Sequence, residues 1–329
     1  MLRTLLLFIS LVMIAQTYTI QKYPFTMPNV KPNVDELYLC TPVRVNYTKN
    51  FYIVGFEPKA SMNIEHHILL YGCQLPGSSE NVWNCGEMVQ DVEEEQHNPC
   101  KTGSQIIYAW ARDAPKLTLP EDVGFKVGGD SSIQYLVLQV HYSHSLDGAS
   151  DNSGVHLYYT EKPMPKLAGV LLLGTSGYIP GMSVEHMETA CTIDEDKKLH
   201  PFAFRTHTHQ LGRVVSGYLV RRINGKDNWT LLGKRNPQDP QMFYPVMNNV
   251  TVALGDQLAA RCTMESHRPY VTLIGGTNKH EMCNFYLMYW VENSGPLTKK
   301  YCFTSGPPLY YWDGPGGLNN IPDSASSLM

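Results

Sequence analysis

Two histidines separated by one residue, His207 and His209, form the clearest candidate metal site in the sequence. Residues 203–212 around them lack helical periodicity, and on a strand residues i and i+2 point to the same face. Two imidazoles would then converge on one ion, and imidazole suits copper and zinc alike. Arg205 shares this face and would place a fixed cation there, able to hold a substrate carboxylate. The alternative is that Arg205 is an ordinary surface residue.

A methionine in a second alternating segment distinguishes between the two metals. Residues 282–288 predict Met282, Asn284, Tyr286 and Met288 on one face of a strand and the residues between them on the other. Core packing is the usual fate of a methionine. As a metal ligand, however, the thioether of Met282 would favour copper, as Cu(I), over zinc.

A further group of histidines could form a partner site. His66 and His67 begin an apolar run, and adjacent strand residues face opposite ways. Both can bind one metal only at an irregular strand end or a bulge. His141 is the candidate third ligand, and Gln139 shares its face as a supporting residue.

The elements that must position these residues are predicted to be short strands separated by Gly, Pro, Asn and Asp. We find no long amphipathic helix, so the default architecture is all-β, with two jelly-roll or Greek-key β-sandwich domains. The predicted strands are Phe51–Phe56, Ile106–Ala109, Ile133–Tyr142, Val155–Tyr159, Leu171–Leu173, Val214–Val220, Val250–Leu254 and Tyr286–Val291.

Two prolines, Pro163 and Pro165, interrupt strand pairing and mark the predicted seam between the domains. This gives an N-terminal domain over residues 18–163 and a C-terminal domain over 164–305. Residues 306–329 are rich in Pro, Gly and Ser and are predicted to be a loosely ordered tail.

The cysteines and the N-terminus indicate an oxidising compartment. Residues 1–17 have the pattern of a secretory signal peptide. The eight cysteines fall in two groups of four, at 40–100 and 191–302, which still allow three pairings per group. Three N-glycosylation acceptors agree with export: Asn46, Asn228 and Asn249.

The charge of the chain limits the choice of partners. A formal net charge of -4 and the absence of any basic run argue against nucleic acid or an anionic membrane surface. No stretch after the signal is apolar enough to span a bilayer.

The segments 65–73, 138–142, 205–209 and 281–286 together resemble the four copper motifs of peptidylglycine α-hydroxylating monooxygenases, in the same order and at similar separations. The resemblance extends to Ser61-Met62 and to the residues 108–112, Tyr-Ala-Trp-Ala-Arg. It implies a copper site on each side of an interdomain cleft. One copper, for electron transfer, would be held by His66, His67 and His141; the other, which meets oxygen, by His207, His209 and Met282.

The resemblance also implies roles for the remaining site residues. Arg205, Asn284 and Tyr286 would hold the carboxylate of the substrate, and Tyr286 would belong with the second copper to the catalytic centre. The implied disulfides are Cys40–Cys85, Cys73–Cys100, Cys191–Cys302 and Cys262–Cys283.

The implied activity is hydroxylation of the Cα of a C-terminal glycine in glycine-extended peptides, with two copper ions, ascorbate as reductant and O2 as co-substrate. We expect a monofunctional, monomeric hydroxylase of the secretory granule or extracellular fluid, with a separate lyase acting on its product.

Two alternatives to this function remain. One is a catecholamine hydroxylase like dopamine β-monooxygenase, a family with a further N-terminal domain and without the Arg205 pattern. The other is a secreted copper-binding protein without catalysis, which would leave Arg205, Asn284 and Tyr286 unexplained.

Overall fold

The computed structural model describes residues 19–65, 67–86, 98–277 and 279–328, and these residues confirm the predicted all-β class. The predicted signal peptide and His66 lie outside the described residues. The first half of the fold consists of twelve strands: β1 Gln21–Thr26, β2 Leu37–Arg44, β3 Asn50–Lys59, β4 His67–Cys73, β5 Leu75–Pro76, β6 Trp83–Asn84, β7 Cys100–Thr102, β8 Gln105–Ala111, β9 Leu117–Thr118, β10 Val123–Gly128, β11 Tyr135–Tyr142 and β12 Gly154–Thr160.

The second half consists of the strands that follow: β13 Lys166–Ser176, β14 Tyr178–Ile179, β15 Val184–Thr192, β16 His200–His207, β17 Gly212–Ile223, β18 Lys226–Arg235, β19 Tyr244–Pro245, β20 Gln257–Glu265, β21 Thr272–Leu273, β22 Asn284–Glu292 and β23 Tyr301–Ser305. A 3-10 turn at Asp323–Ser326 is the one helical element among the described residues. None of their helices is long and apolar enough to cross a membrane.

The first half is a sandwich of two sheets. One sheet has the order β1-β12-β3-β10, with β9 on β3, and the other has the order β6-β2-β11-β4-β8. Most neighbours are not consecutive in the chain, as expected when the chain crosses between the two layers of a Greek-key sandwich. The buried side chains of both sheets, Phe56 and Leu138 among them, form one apolar core.

The second half is a sandwich of the β13-β22-β16-β19 sheet, with β23 on β13, and the β15-β20-β17-β18 sheet. Strand β22 shows why the halves stack: Phe285 and Leu287 belong to the core of the second half, whereas Tyr286 and Met288 pack into the core shared with the first half. The predicted alternation is therefore confirmed. A short parallel pairing of β10 with β13 joins the first sheets of both halves into one ten-stranded sheet.

Seven of the eight predicted strands coincide with observed strands, although their ends differ by a few residues. The prediction of a strand at Val250–Leu254 is wrong, because only Val252 forms a bridge there, to Leu199. A turn in which the amide of Asp256 donates to the carbonyl of Ala253 ends the segment before a ladder can form.

The prediction of a loosely ordered tail is also wrong for the described residues 306–328. Trp312 is fully buried, its amide donates to Glu188 and its indole N–H donates to the carbonyl of Thr189. Leu318 and Ala325 are buried beside it on the outer face of the β15-β20-β17-β18 sheet. That face carries apolar side chains such as Tyr218, and the segment covers them.

All eight cysteines form disulfides, two within each half, and no described cysteine is free. The pairs are those that the resemblance implies: Cys40–Cys85, Cys73–Cys100, Cys191–Cys302 and Cys262–Cys283.

Candidate metal and substrate site

His207 and His209 lie at the end of β16 and in the bend that follows it. His207 is the last residue of the strand, so the strand geometry expected for both histidines holds only for the first. Their rings nevertheless remain close, with centroids 5.4 Å apart, and both side chains are buried.

Hydrogen bonds select the same nitrogen of both rings for metal binding. His207 Nδ1 lies 2.6 Å from Oε1 of Gln241, and His209 Nδ1 lies 3.2 Å from the carbonyl oxygen of His280. Both partners are acceptors, so Nδ1 carries the proton and Nε2 is the nitrogen able to bind an ion. The Gln241 amide is oriented by its Nε2, which donates to the carbonyls of Thr208 and Pro237.

Met282 lies just before β22, next to the disulfide of Cys283 with Cys262. Its side chain is 6% exposed, and the Asn284 amide donates to its Sδ at 3.7 Å. Met282 and His207 line the same small cavity. The described donors of this site are thus two imidazoles and one thioether, a set that suits copper better than zinc.

His67 and His141 lie opposite each other on β4 and β11, and their Nδ1 atoms are 3.4 Å apart. Two nitrogens each about 2.0 Å from one ion, at a tetrahedral angle, would be about 3.3 Å apart, so the pair fits a shared ion. His141 Nε2 lies 2.8 Å from the Glu36 carboxylate, which leaves Nδ1 as its donor. Tyr38 stacks on the His141 ring at 4.1 Å.

No group of three His, Cys, Asp or Glu side chains that could hold a metal ion occurs among the described residues. Each candidate site has only two such side chains among the described residues, for a different reason in each case. The predicted third ligand of the first site, His66, lies outside the described residues, and that of the second site is the thioether of Met282.

Among the described residues, Gln139 forms no hydrogen bond with His67 or His141. Its Nε2 donates to the carbonyl of Gly86 at 3.1 Å and lies 3.4 Å from Sγ of Cys85. The side chain therefore fixes the disulfide beside β11, two residues from His141 on the same strand.

The three predicted carboxylate-binding residues come together on β16 and β22. Arg205 is opposite Tyr286 and His207 is opposite Asn284 in the antiparallel register. The guanidinium carbon of Arg205 lies 5.1 Å from the centre of the Tyr286 ring. Burial raises the pKa of the Tyr286 hydroxyl, whereas the Arg205 cation acts in the opposite direction.

Arg205 is a buried cation whose hydrogen bonds go to neutral groups. It is 1% exposed, Nε donates to the carbonyl of Gln241 at 2.8 Å and Nη2 donates to Gln241 Oε1 at 3.2 Å. Burial lowers the pKa of Arg205, and no carboxylate of the described residues pairs with it. A buried guanidinium in this state is suited to an anionic group brought by a ligand.

The two candidate metal sites face each other across the contact between the halves. The His67 and His207 rings are 6.3 Å apart. Between them lies a cavity of about 10 Å³, lined by His67, Arg205, His207, Met282 and Tyr286 among others. A cavity of this size holds one water at most.

Several residues that fix this geometry were not predicted. Gln241 holds both Arg205 and His207, and the Glu281 carboxylate accepts hydrogen bonds from the amides of His209 and Leu211. The sequence signal available for the second contact was the Glu that directly precedes Met282, which the structure shows to be buried. Nothing in the local sequence pattern links Gln241 to a histidine 34 positions away.

Two family descriptions match most of this chain. The N-terminal domain of the copper type II ascorbate-dependent monooxygenases matches residues 23–148, and the C-terminal domain of the same family matches residues 166–315. The chain belongs to the copper type II ascorbate-dependent monooxygenase family. In a member of this family, the donor set of imidazoles and one thioether fits the metal that the family name states.

The chain is similar in sequence to several known proteins, which differ in their identity to it and in the share of each chain that is covered. Peptidylglycine alpha-amidating monooxygenase of Rattus norvegicus is 42% identical over 288 residues, which are 86% of this chain and 28% of that protein. Peptidyl-glycine alpha-amidating monooxygenase A of Xenopus laevis is 39% identical, over 92% of this chain and 31% of that protein. Dopamine beta-hydroxylase of Homo sapiens is 30% identical, over 83% of this chain and 46% of that protein. The chain thus spans less than a third of the length of these two amidating relatives.

Proposed function

We propose that this chain hydroxylates the Cα of the C-terminal glycine of glycine-extended peptides, with copper, ascorbate and O2. The observation that carries the proposal is Arg205, a buried guanidinium without a carboxylate partner among the described residues, on the strand that carries His207. A peptide substrate brings one carboxylate at its C-terminus, and the similarity to amidating monooxygenases supports the same class of substrate.

Two groups of side chains would hold copper. His66, His67 and His141 would hold one ion, and His207, His209 and Met282 the other. Bound copper would supply the one-electron redox chemistry that O2 requires, and the Met282 thioether would favour its reduced form. Overall, ascorbate gives two electrons, one oxygen atom enters the Cα–H bond and the other leaves as water.

The protein's own contribution is mainly positioning. Arg205 would bind the glycine carboxylate through two parallel N–H donors, with Asn284 and Tyr286 as further hydrogen-bonding groups. Because Arg205 and His207 are two residues apart on one strand, a carboxylate held there places the adjacent Cα near the second copper. Gln241 would keep the arginine and the histidine in fixed relation, since it contacts both.

The product would be a peptidyl α-hydroxyglycine, so a lyase activity must act next to give the amide and glyoxylate. We further propose that the enzyme works as a monomer in a secretory granule or the extracellular fluid, where the four disulfides are stable.

The proposal is tested by measuring ascorbate-dependent O2 consumption with a glycine-extended peptide and with tyramine, alongside copper analysis. We expect consumption and peptide hydroxylation with the peptide only, and loss of turnover in Met282→Ala. Preference for tyramine would indicate a catecholamine hydroxylase, as the similarity to dopamine beta-hydroxylase allows. Copper binding without turnover of either would leave a non-catalytic copper protein.

A further inference from the structure

The turn after β8 makes a contact between the two halves through a single arginine. Arg112 Nη1 donates to the carbonyl of Gln238 at 2.6 Å, and Nη2 donates to Oε1 of the same residue at 2.9 Å. Arg112 and Asp113 both adopt left-handed backbone angles, with φ of 54° and 53°. Aspartate adopts such angles fairly readily, but for an arginine they cost free energy that surrounding contacts must offset.

Gln238 passes this contact on to the second candidate metal site. Its Nε2 donates to the carbonyl of His209 at 2.8 Å and to that of Gly212 at 3.1 Å. The amide is thereby oriented at both ends, with its oxygen on the Arg112 cation and its two hydrogens on carbonyls. The amides of His209 and Leu211 donate to the buried Glu281 carboxylate, so side chains hold both the donors and the acceptors of this bend.

The same turn also touches the first candidate site. Ala111, the last residue of β8, is opposite His67 in the antiparallel register with β4. Oδ1 of Asp113 accepts a hydrogen bond from the amide of Met62 at 3.0 Å, in the segment that leads to the predicted ligand His66. Residues 111–113 therefore contact the chain on either side of His66, at Met62 and at His67, and reach the bend of His209 through Gln238.

We propose that Arg112 is a positioning residue that acts through Gln238 on the backbone of His209, so that docking of the first half sets the geometry of the second metal site. The proposal rests on the proposed function for the role of His209 as a ligand. It gives a role to the Arg at the end of residues 108–112, whose guanidinium contacts neither candidate ligand directly.

Two variants separate the steps of this linkage. Arg112→Ala removes the contact between the halves. Gln238→Glu keeps an acceptor for Arg112 but replaces the amide donors to the His209 and Gly212 carbonyls by a carboxylate oxygen. Arg44→Ala is the matched control, because Arg44 is an exposed arginine of the first half whose guanidinium lies over Tyr47.

The first measurement is hydrogen–deuterium exchange of the metal-free protein, followed in a peptide that covers residues 208–213. Loss of one net hydrogen bond corresponds to about a fivefold change in an opening equilibrium, and each variant loses two such bonds. We expect exchange about 10-fold faster in Arg112→Ala and in Gln238→Glu, and unchanged in Arg44→Ala. Because no metal is present, this result does not depend on the enzyme being active.

The second measurement is copper affinity by chelator competition, in a His141→Ala background that disables the first site. Removing a group that orients a metal ligand weakens binding about 10-fold to 100-fold, and we expect a loss in this range for both variants. In the otherwise unchanged enzyme, kcat should fall about 10-fold in both variants. KM for the peptide should stay within about twofold in Gln238→Glu, which keeps the contact between the halves.

Either of two results would overturn the proposal. If both variants match Arg44→Ala in exchange and in copper affinity, Arg112 does not position His209. If Arg112→Ala changes these values and Gln238→Glu does not, Arg112 only docks the halves. Should Arg112→Ala fail to fold, Gln238→Glu and Arg112→Lys still decide. Absence of peptide hydroxylation by the unmodified protein would refute the proposed function and leave the exchange result valid.

Discussion

The buried Arg205 and the partly buried Arg261 differ in their partners, and that difference predicts opposite effects on stability. Arg205 is bound to neutral groups of Gln241, whereas Arg261 pairs with the buried carboxylate of Glu188. An unpaired buried cation costs free energy of folding, while removal of one member of a buried pair exposes the desolvation cost of the other.

We therefore expect Arg205→Met to leave the free energy of unfolding unchanged or to raise it by up to about 2 kcal/mol. Arg261→Met should lower the free energy of unfolding by about 3–5 kcal/mol. For the peptide substrate, Arg205→Met should lower kcat/KM at least about 30-fold with copper content unchanged, because a buried charge contact of about 2 kcal/mol or more is lost. Denaturant unfolding and steady-state kinetics check both values. Destabilisation of the same size in both variants would contradict the prediction.

The sequence predicts the candidate metal- and substrate-binding residues, but it does not predict most of the residues that orient them. His207, Arg205 and Tyr286 follow strand alternation and the resemblance, and the structure brings them together. Gln241 and Gln238 reach the same segment from a loop that is distant in the sequence. Such contacts depend on the folded path of a loop, which has no periodicity to predict it.

At the scale of elements, the predicted strands are reliable where both faces of a sheet are covered. Strand β22 is an example, since its alternation assigns each side chain to one of two cores. The prediction was wrong for Val250–Leu254 and for the tail after residue 305. A short apolar run can end in a turn, and the burial of Trp312 depends on a partner surface more than 100 residues away.

The two disulfides of the second half should separate stability from metal binding. Cys191–Cys302 closes a sequence separation of 111 residues and Cys262–Cys283 one of 21. The loop-entropy relation then gives about 5 kcal/mol for the first and about 3 kcal/mol for the second. Cys283, however, is adjacent to Met282, so only the second disulfide anchors a predicted ligand.

Replacing both cysteines of Cys191–Cys302 by alanine should therefore lower the free energy of unfolding more than the same change in Cys262–Cys283. The copper affinity of the second site should respond in the opposite order. Denaturant unfolding and chelator competition on the two double variants measure these quantities. An equal loss of copper affinity in both would show that the disulfide beside Met282 has no special part in holding it.

At the scale of the molecule, the halves are packed too closely for a peptide to occupy the site. The cavity between the two candidate metal sites measures about 10 Å³, and the rings of His67 and His207 are 6.3 Å apart. Binding of the proposed peptide substrate would therefore require the halves to separate. A protein that binds ligand only in a minor state has an apparent dissociation constant raised by the inverse of that state's population.

Tyr38→Phe tests this requirement, because the Tyr38 hydroxyl donates to the carbonyl of Gly276 across the contact between the halves, at 2.9 Å. Loss of about 1 kcal/mol from the closed arrangement raises the open population up to about fivefold, so KM for the peptide should fall by up to the same factor. The phenyl ring keeps its stacking on His141.

Tyr142→Phe is the control, since the Tyr142 hydroxyl donates to Asp151 within the first half. It should lower stability and leave KM unchanged. An unchanged or higher KM in Tyr38→Phe would mean that the closed arrangement does not compete with substrate.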